Sequence, residues 1–200
     1  MMDQIRDQYD SLYKLEDYSF GDGKPVPAVV RLSEYIDKGS VLDIGGGDGR
    51  NAIYLANLGF DVTVLDLSEV GLSKIKEVNK NINTKVSDVI QDEIESEYDV
   101  IVNTFVLHHM NIEDAKKVIL KSKRHTKEKG INIIVTFSDS GGLYDRNFNT
   151  GRFYPGEKLM RELYSDWGIL DLRIDEIETL AKDKKGNRML NHVISIIATN

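Results

Sequence analysis

The sequence predicts a three-layer α/β fold: a doubly wound, mostly parallel, seven-stranded sheet that ends in an antiparallel hairpin. Three observations predict it. Val41 to Arg50 reads strand, glycine loop, helix. Strand-like and helix-like segments then alternate as far as Phe137, a pattern that specifies parallel strands with helices on both faces. Beyond Phe137 the alternation stops, and two strand-like runs flank the turn-forming stretch Asp183 to Asn187.

Each element has its own reason. In Met1 to Leu15, Ile5, Tyr9, Leu12 and Tyr13 fall at helical spacing in a polar background, so an amphipathic helix is expected. Asp17 to Pro27 is rich in breakers and reads as loop. Ala28 to Ile36 resumes a helical pattern, which Gly39 stops. Val41 to Ile44 is a short apolar run of the kind buried in parallel sheets. Asn51 to Ala56 is the next helix, capped by Gly59. Asp61 to Leu65 is the second strand, and Ser68 to Asn79 the helix after it. Thr84 to Val86 and Tyr98 to Thr104 are strands three and four. Asn111 caps a helix with Glu113 and Asp114 in its first turn. Ile131 to Phe137, β-branched and almost wholly apolar, is the fifth strand. Ser138 to Tyr154 reads as a long loop rich in Gly, Asn and Asp, a type often tied to function. Gly156 to Trp167 is helical, and Leu170 to Ile177 and His192 to Ala198 are the hairpin strands.

A chain of 200 residues with 40% hydrophobic content can fill one substantial core, so a single domain is expected over 1–200. Its formal charge of -7 argues against nucleic acid or an anionic membrane as a partner. The basic run Lys121 to Lys127 sits where a helix ends, and cations there face the negative end of the dipole. With no cysteine, disulfides, thiolate metal sites and a cysteine nucleophile are excluded. No histidine and acid spacing suggests a metal site. The absence of a long apolar run and of a secretory signal leads to the expectation of a soluble, cytoplasmic protein.

The chemistry lies at the strand ends. Gly45, Gly47 and Gly49 let the backbone turn tightly and approach a ligand. Asp66 ends the second strand about 20 residues later, the interval at which a nucleotide-site acid meets ribose hydroxyls. A dinucleotide site would space its third glycine three residues after the second; here Gly49 comes after two, followed by Arg50. Asp43, two residues before the loop, suits a ligand with a cationic end better than one with phosphates. S-adenosylmethionine, which joins adenosine to a sulfonium and an ammonium group, has that character.

Asp43 to Gly49 resembles motif I, D-x-G-x-G-x-G, of the class I S-adenosylmethionine-dependent methyltransferases, whose fold is Rossmann-like. The resemblance covers the chain from about Asp17 onward. It implies that Asp43, Gly45, Gly47 and Gly49 hold the cofactor and that Asp66, with Leu67, takes the ribose. It further implies that Asp88 meets the adenine amino group, with Val89 beside the ring. Asn103 and Thr104 end a strand next to the topological switch, where ligands gather. Asp66 also reads as a polar strand end, Asp88 as a turn cap, and Asn103 and Thr104 as partners of nearby backbone.

Gly49-Arg50-Asn51-Ala52, Val70 to Lys74, Phe153 to Glu157 and Gly186-Asn187-Arg188 are similar to the tellurite-resistance and thiopurine methyltransferase-like group. One departure is plain: tellurite-resistance enzymes resemble one another in a His-Arg pair just before the Gly-Asn-Arg turn, and this chain has Leu180-Ala181. That counts against a tellurium or selenium oxyanion as acceptor. His108 and His109 carry two readings, a structural hydrogen bond or catalysis, and His108 is the catalytic candidate. Arg152 and Arg188 read as anion binders or as surface residues; Arg188 is the acceptor-side candidate. Tyr9, Tyr13 and Tyr18 read as covers over the cofactor or as core.

The chain thus divides into a helical segment 1–39 placed to act as a lid, a cofactor-binding core 40–137, and an acceptor-side portion 138–200. The expected activity is in-line methyl transfer to a small-molecule acceptor, reached through the Ser138 to Tyr154 loop. Two alternatives stand beside it, a non-catalytic S-adenosylmethionine-binding module and an NAD-dependent oxidoreductase.

Overall fold

The computed structural model describes residues 2–15, 23–147, 150–182 and 184–200, without the side chains of residues 2, 3, 180 and 181. The Leu180-Ala181 departure and Tyr18 therefore lie outside the described side chains.

A short four-residue helix, α2 (Pro27–Val30), follows the N-terminal helix α1 (Met2–Tyr13). The sheet then builds through β1 (Ser40–Ile44), α3 (Arg50–Asn57), β2 (Asp61–Asp66), α4 (Glu69–Val78), β3 (Asn83–Val86), β4 (Tyr98–Thr104), α5 (Ile112–Arg124) and β5 (Thr126–Gly141). It closes with α6 (Gly142–Asn147), α7 (Glu157–Leu163), β6 (Gly168–Lys182) and β7 (Arg188–Thr199). The strand order is β3-β2-β1-β4-β5-β7-β6. β1 to β5 pair in parallel, and β7 slots antiparallel between β5 and β6. The chain reverses its direction of winding between β1 and β4, which leaves a crevice outside their carboxyl ends.

Side-chain alternation along the strands supplies two cores. Val41, Val64, Val102 and Ile133 face α3 and α4, packing with Ala52, Leu55, Leu72 and Ile75. Leu42, Leu65, Ile101 and Ile134 face the other way, onto Ala115, Val118 and Ile119 of α5 and Met160 of α7. This is the predicted three-layer arrangement, and its physical cause is the period of two along a strand. The expected caps are present: the Asn111 side chain accepts the Asp114 amide at 2.9 Å, and Gly59 turns the chain at φ +95°. Among the described residues no helix is long and apolar enough to cross a membrane.

Several boundaries differ from expectation, among them the following. The helix expected over Ala28 to Ile36 is α2 followed by a 3-10 turn, Arg31–Glu34. The stretch read as a Ser138 to Tyr154 loop begins as the end of β5 and continues as α6. Glycine and asparagine suggested a loop there, but pairing with β7 as far as Gly141↔Asn191 extends the strand. Arg188, expected in the hairpin turn, is the first residue of β7.

Candidate active site

The site grows from the end of β1. The glycine loop leaves the sheet with Gly45 at φ +68°, Gly47 at +57° and Gly49 at +90°, conformations that L side chains avoid. Close approach reinforces the requirement: a Cβ on Gly45 would lie 2.1 Å from Val106 Cγ2, and one on Gly47 2.2 Å from the Tyr13 hydroxyl. Asp66 straps the loop to β2. Its Oδ2 accepts the Gly47 amide and its Oδ1 the Ser68 amide, both at 2.8 Å. Burial raises its pKa, while those two amides pull it back down.

Asp43 lies beneath the loop, fully buried. A Cβ on Gly46 would come within 2.9 Å of its Oδ2. Neither carboxylate oxygen has a hydrogen-bond partner. Burial pushes its pKa up to about 7, opposed by the charge of Arg50 and helped by that of Asp66. The Arg50 guanidinium opens α3 and lies 5.6 Å from the centre of the Phe105 ring. Phe105 itself has φ +59°, a strained conformation for a bulky residue, and strain of this kind concentrates at functional sites.

A second wall comes from α1. Tyr13 is buried against the loop, Asp10 Oδ1 accepts the Ser68 hydroxyl at 2.5 Å, and the Tyr9 hydroxyl meets His109 Nε2 at 2.9 Å. His108 and His109 sit on a 3-10 turn, Leu107–His109, with ring centres 4.0 Å apart. Burial lowers the pKa of His108 well below the usual range, with His109 and Arg152 adding to the effect. Burial and Arg152 likewise hold His109 at about 4. Both imidazoles are neutral at physiological pH. His108 Nδ1 is buried without a partner.

Loop, α1 and histidines enclose a cavity of about 610 Å³. Of the residues read from the sequence, Gly45, Gly47, Asp66, Leu67, Val89, Thr104, His108 and Arg188 line it. Asp43 and Asn103 are buried and not in its wall, and Gly49 packs on Ile75 of α4. Neither amide atom of Asn103 has a partner. Asp88 does not line the cavity; its Oδ1 accepts the Ile90 amide at 3.0 Å, the turn-capping role. Thr104 Oγ1 accepts Asn51 Nδ2 at 3.0 Å. Arg188 lies at the cavity wall with its guanidinium 3.2 Å from Glu178.

The segment 138–154 does not line the cavity among its described residues, contrary to expectation. Tyr154 stands one layer back, its ring 6.4 Å from that of His108. β6 takes that place with Ile177, Glu178 and Thr179, because the long hairpin reaches over the crevice. Sequence reasoning also missed Phe105 and Phe137, which line the cavity. Both lie at or just beyond the carboxyl ends of parallel strands, and that position was the available signal.

Comparison with known proteins agrees with this geometry. A family model described as tellurite resistance protein TehB matches residues 12–197. A protein of Haemophilus influenzae named probable S-adenosyl-L-methionine-dependent methyltransferase TehB is 33% identical over 175 residues, 85% of this chain. The chain spans only 60% of that protein's length. The crystal structure of TehB from Haemophilus influenzae superposes with a TM-score of 0.75 at 29% identity, covering 98% of this chain and 66% of that one. The N-methyltransferase NodS of Bradyrhizobium japonicum, solved with S-adenosylhomocysteine, has a TM-score of 0.74 over 98% of this chain and 97% of its own. At 15% identity the NodS likeness speaks for the fold alone. Glycine loop, buried acid, strand-end aspartate and a family match over nearly the whole chain converge, and the chain belongs to the TehB family of class I methyltransferases.

Proposed function

We propose that this chain is an S-adenosylmethionine-dependent methyltransferase acting on a small-molecule acceptor. The observation that carries the reading is the pair of acids flanking the glycine loop, Asp43 with an unpartnered carboxylate and Asp66 at the cavity wall. A buried carboxylate without a donor is costly unless a cation lies close. The cofactor's ammonium end supplies such a charge, held by Asp43 through the loop. Each Asp66 oxygen has one backbone donor and a remaining lone pair for a ribose hydroxyl. Leu67 and Val89 flank the adenine, and Gly45, Gly47 and Thr104 form the floor. Asp88 acts there through the turn that it caps.

When bound, the cofactor supplies a methyl group already activated by the sulfonium charge. The protein has to align the acceptor with it and exclude water. Tyr9 and Tyr13 on α1 close one side of the site, and His108 offers a neutral imidazole to the acceptor. The acidic charge of -7 supports an enzyme that works without a nucleic-acid or anionic-membrane partner. A non-catalytic binding module would share the cofactor half and give no turnover.

Calorimetric titration tests the reading. S-adenosylhomocysteine binds, and Asp66→Ala weakens it more than tenfold, since each hydrogen bond to a charged acceptor is worth about 1.5–3 kcal/mol. The same variant lowers the melting temperature of the free protein, because Asp66 also holds the Gly47 and Ser68 amides. Micromolar binding of NAD, with none of S-adenosylhomocysteine, would overturn the assignment.

Arg188 serves the acceptor from the rim. It is half-exposed and already paired with Glu178, so its contribution is modest. Arg188→Ala should raise the acceptor's KM about two- to fivefold, the size of an exposed charge contact, and leave cofactor affinity unchanged. An unchanged KM makes it a plain hairpin arginine.

A further inference from the structure

The acceptor half of the cavity is walled by aromatic rings in sequence. The Tyr9 ring meets His109 edge-on at 5.6 Å, His109 and His108 lie 4.0 Å apart, and His108 meets Phe137 edge-on at 4.8 Å. Phe105 follows at 5.3 Å from Phe137, and all five rings line the cavity. They come from three separate parts of the fold: α1, the stretch directly after β4 that carries Phe105, His108 and His109, and the carboxyl-terminal part of β5. Aromatic faces brought together in this way recognise another flat π-system by stacking and edge contacts.

The arginines in the cavity wall are compensated. Each arginine that lines the cavity has an acid beside it: Arg6 with Asp7, Arg50 with Asp48, Arg188 with Glu178. A hydrated inorganic oxyanion would exchange its water for ring faces here, and each arginine that it met in the cavity wall would already have an acid beside it. A neutral, flat acceptor loses little on entry.

His108 completes the picture. Its Nδ1 is closed off, so Nε2 is the nitrogen that remains to face the cavity it lines. Burial, His109 and Arg152 keep the ring unprotonated, so its Nε2 lone pair is free to accept a hydroxyl's hydrogen bond, and a proton taken up there is held weakly and handed on.

We propose that the acceptor is an aromatic ring carrying an ionisable hydroxyl, held in the ring arc with its O–H directed at His108 Nε2. The inference rests on the methyltransferase reading above. As the acceptor oxygen forms its bond to the methyl carbon, the carbon–sulfur bond breaks and its electron pair stays on sulfur, leaving a neutral thioether. The hydroxyl proton passes to His108 Nε2 and then to water. His108 is thus the catalytic residue, and Phe137 and Phe105 determine specificity.

The test uses para-nitrophenol, catechol and hydroxyquinoline as probes, with cyclohexanol and tellurite as contrasts. Calorimetry on protein saturated with S-adenosylhomocysteine should show at least one phenolic probe binding and no cyclohexanol binding. Phe137→Ala should weaken that probe about tenfold, while S-adenosylhomocysteine binds as before. Phe137→Leu preserves bulk without the ring and should weaken it as well. His108→Gln should keep probe binding and lower methyl transfer at least about 100-fold, the usual weight of a positioned base. Three results would overturn the proposal: no phenolic probe bound, probe affinity indifferent to both Phe137 variants, or tellurite methylated in preference. In each, S-adenosylhomocysteine still binds, and only the acceptor class falls. If S-adenosylhomocysteine does not bind at all, the methyltransferase reading fails with it.

Discussion

Replacing Asp43 with asparagine should stabilise the free protein at neutral pH and flatten the pH dependence of its stability. The sign follows from proton binding. Burial lifts the Asp43 pKa from 3.8 to about 7, so the folded state keeps a proton that the unfolded state has already released. Stability is therefore full below the lower value, falls as the pH rises between the two, and levels off above about 7. A displacement of that size corresponds to about 4 kcal/mol in the wild type, of which the neutral amide escapes the charge term. Its own unpartnered amide group costs about 1–3 kcal/mol, so the net gain at neutral pH is about 1–3 kcal/mol. Thermal unfolding of both proteins at pH values below, between and above the two pKa values reads this directly. Parallel stability curves would mean that Asp43 has a donor in the folded free protein. The same substitution should weaken S-adenosylmethionine strongly, because the carboxylate would no longer answer the ammonium group. Stability gained together with affinity lost marks a residue retained for its ligand.

Gly45→Ala should be the most damaging single-methyl change in the glycine loop. At φ +68° an L side chain costs about 1–2 kcal/mol before any contact is considered. The added methyl would also sit 2.1 Å from Val106 Cγ2, and forced overpacking adds about 1–3 kcal/mol. The loss of stability is then about 2–5 kcal/mol. Val106 immediately precedes the turn that carries His108 and His109, so relief of the clash displaces the histidine wall of the cavity along with the glycine loop. Affinity for S-adenosylhomocysteine and turnover should both collapse. Gly59→Ala is the matched control, since Gly59 has φ +95° with nothing within 4 Å of an added Cβ. It should show the backbone cost alone and keep full affinity. Equal effects of the two substitutions would remove Val106 from the argument.

These two residues show how legible the site was. Asp43 and Gly45 belong to one decapeptide whose glycine spacing, preceding acid and flanking apolar run are local properties. Local backbone conformation and strand burial follow from neighbours in sequence, so the cofactor half was readable before any coordinates. Asp66 was readable for the same reason, as the last residue of a β-branched run. Its hold on the Gly47 amide was not, because that bond joins two successive βα units, whereas the Ser68 amide lies only two residues along the chain.

The rest of the cavity was opaque by comparison. Tyr9 and His109 are 100 residues apart and meet only because α1 folds back over the carboxyl ends of the strands. Ile177, Glu178 and Thr179 reach the cavity because β7 inserts between β5 and β6 and carries the hairpin across the crevice. The 138–154 segment looked like the portal because its composition is that of a loop, yet strand pairing with β7 drew its first residues into the sheet.

The sequence by itself determined the layered α/β fold, the winding reversal and the identity of the glycine loop with its two acids. Periodicity and turn chemistry act over a few residues and leave their mark in composition. Only the tertiary structure decided which rings line the cavity, which of its arginines are already matched by acids, and that Asp43 is buried without a donor. Burial, desolvation and long-range contact depend on where distant segments meet, and no local pattern encodes that distance.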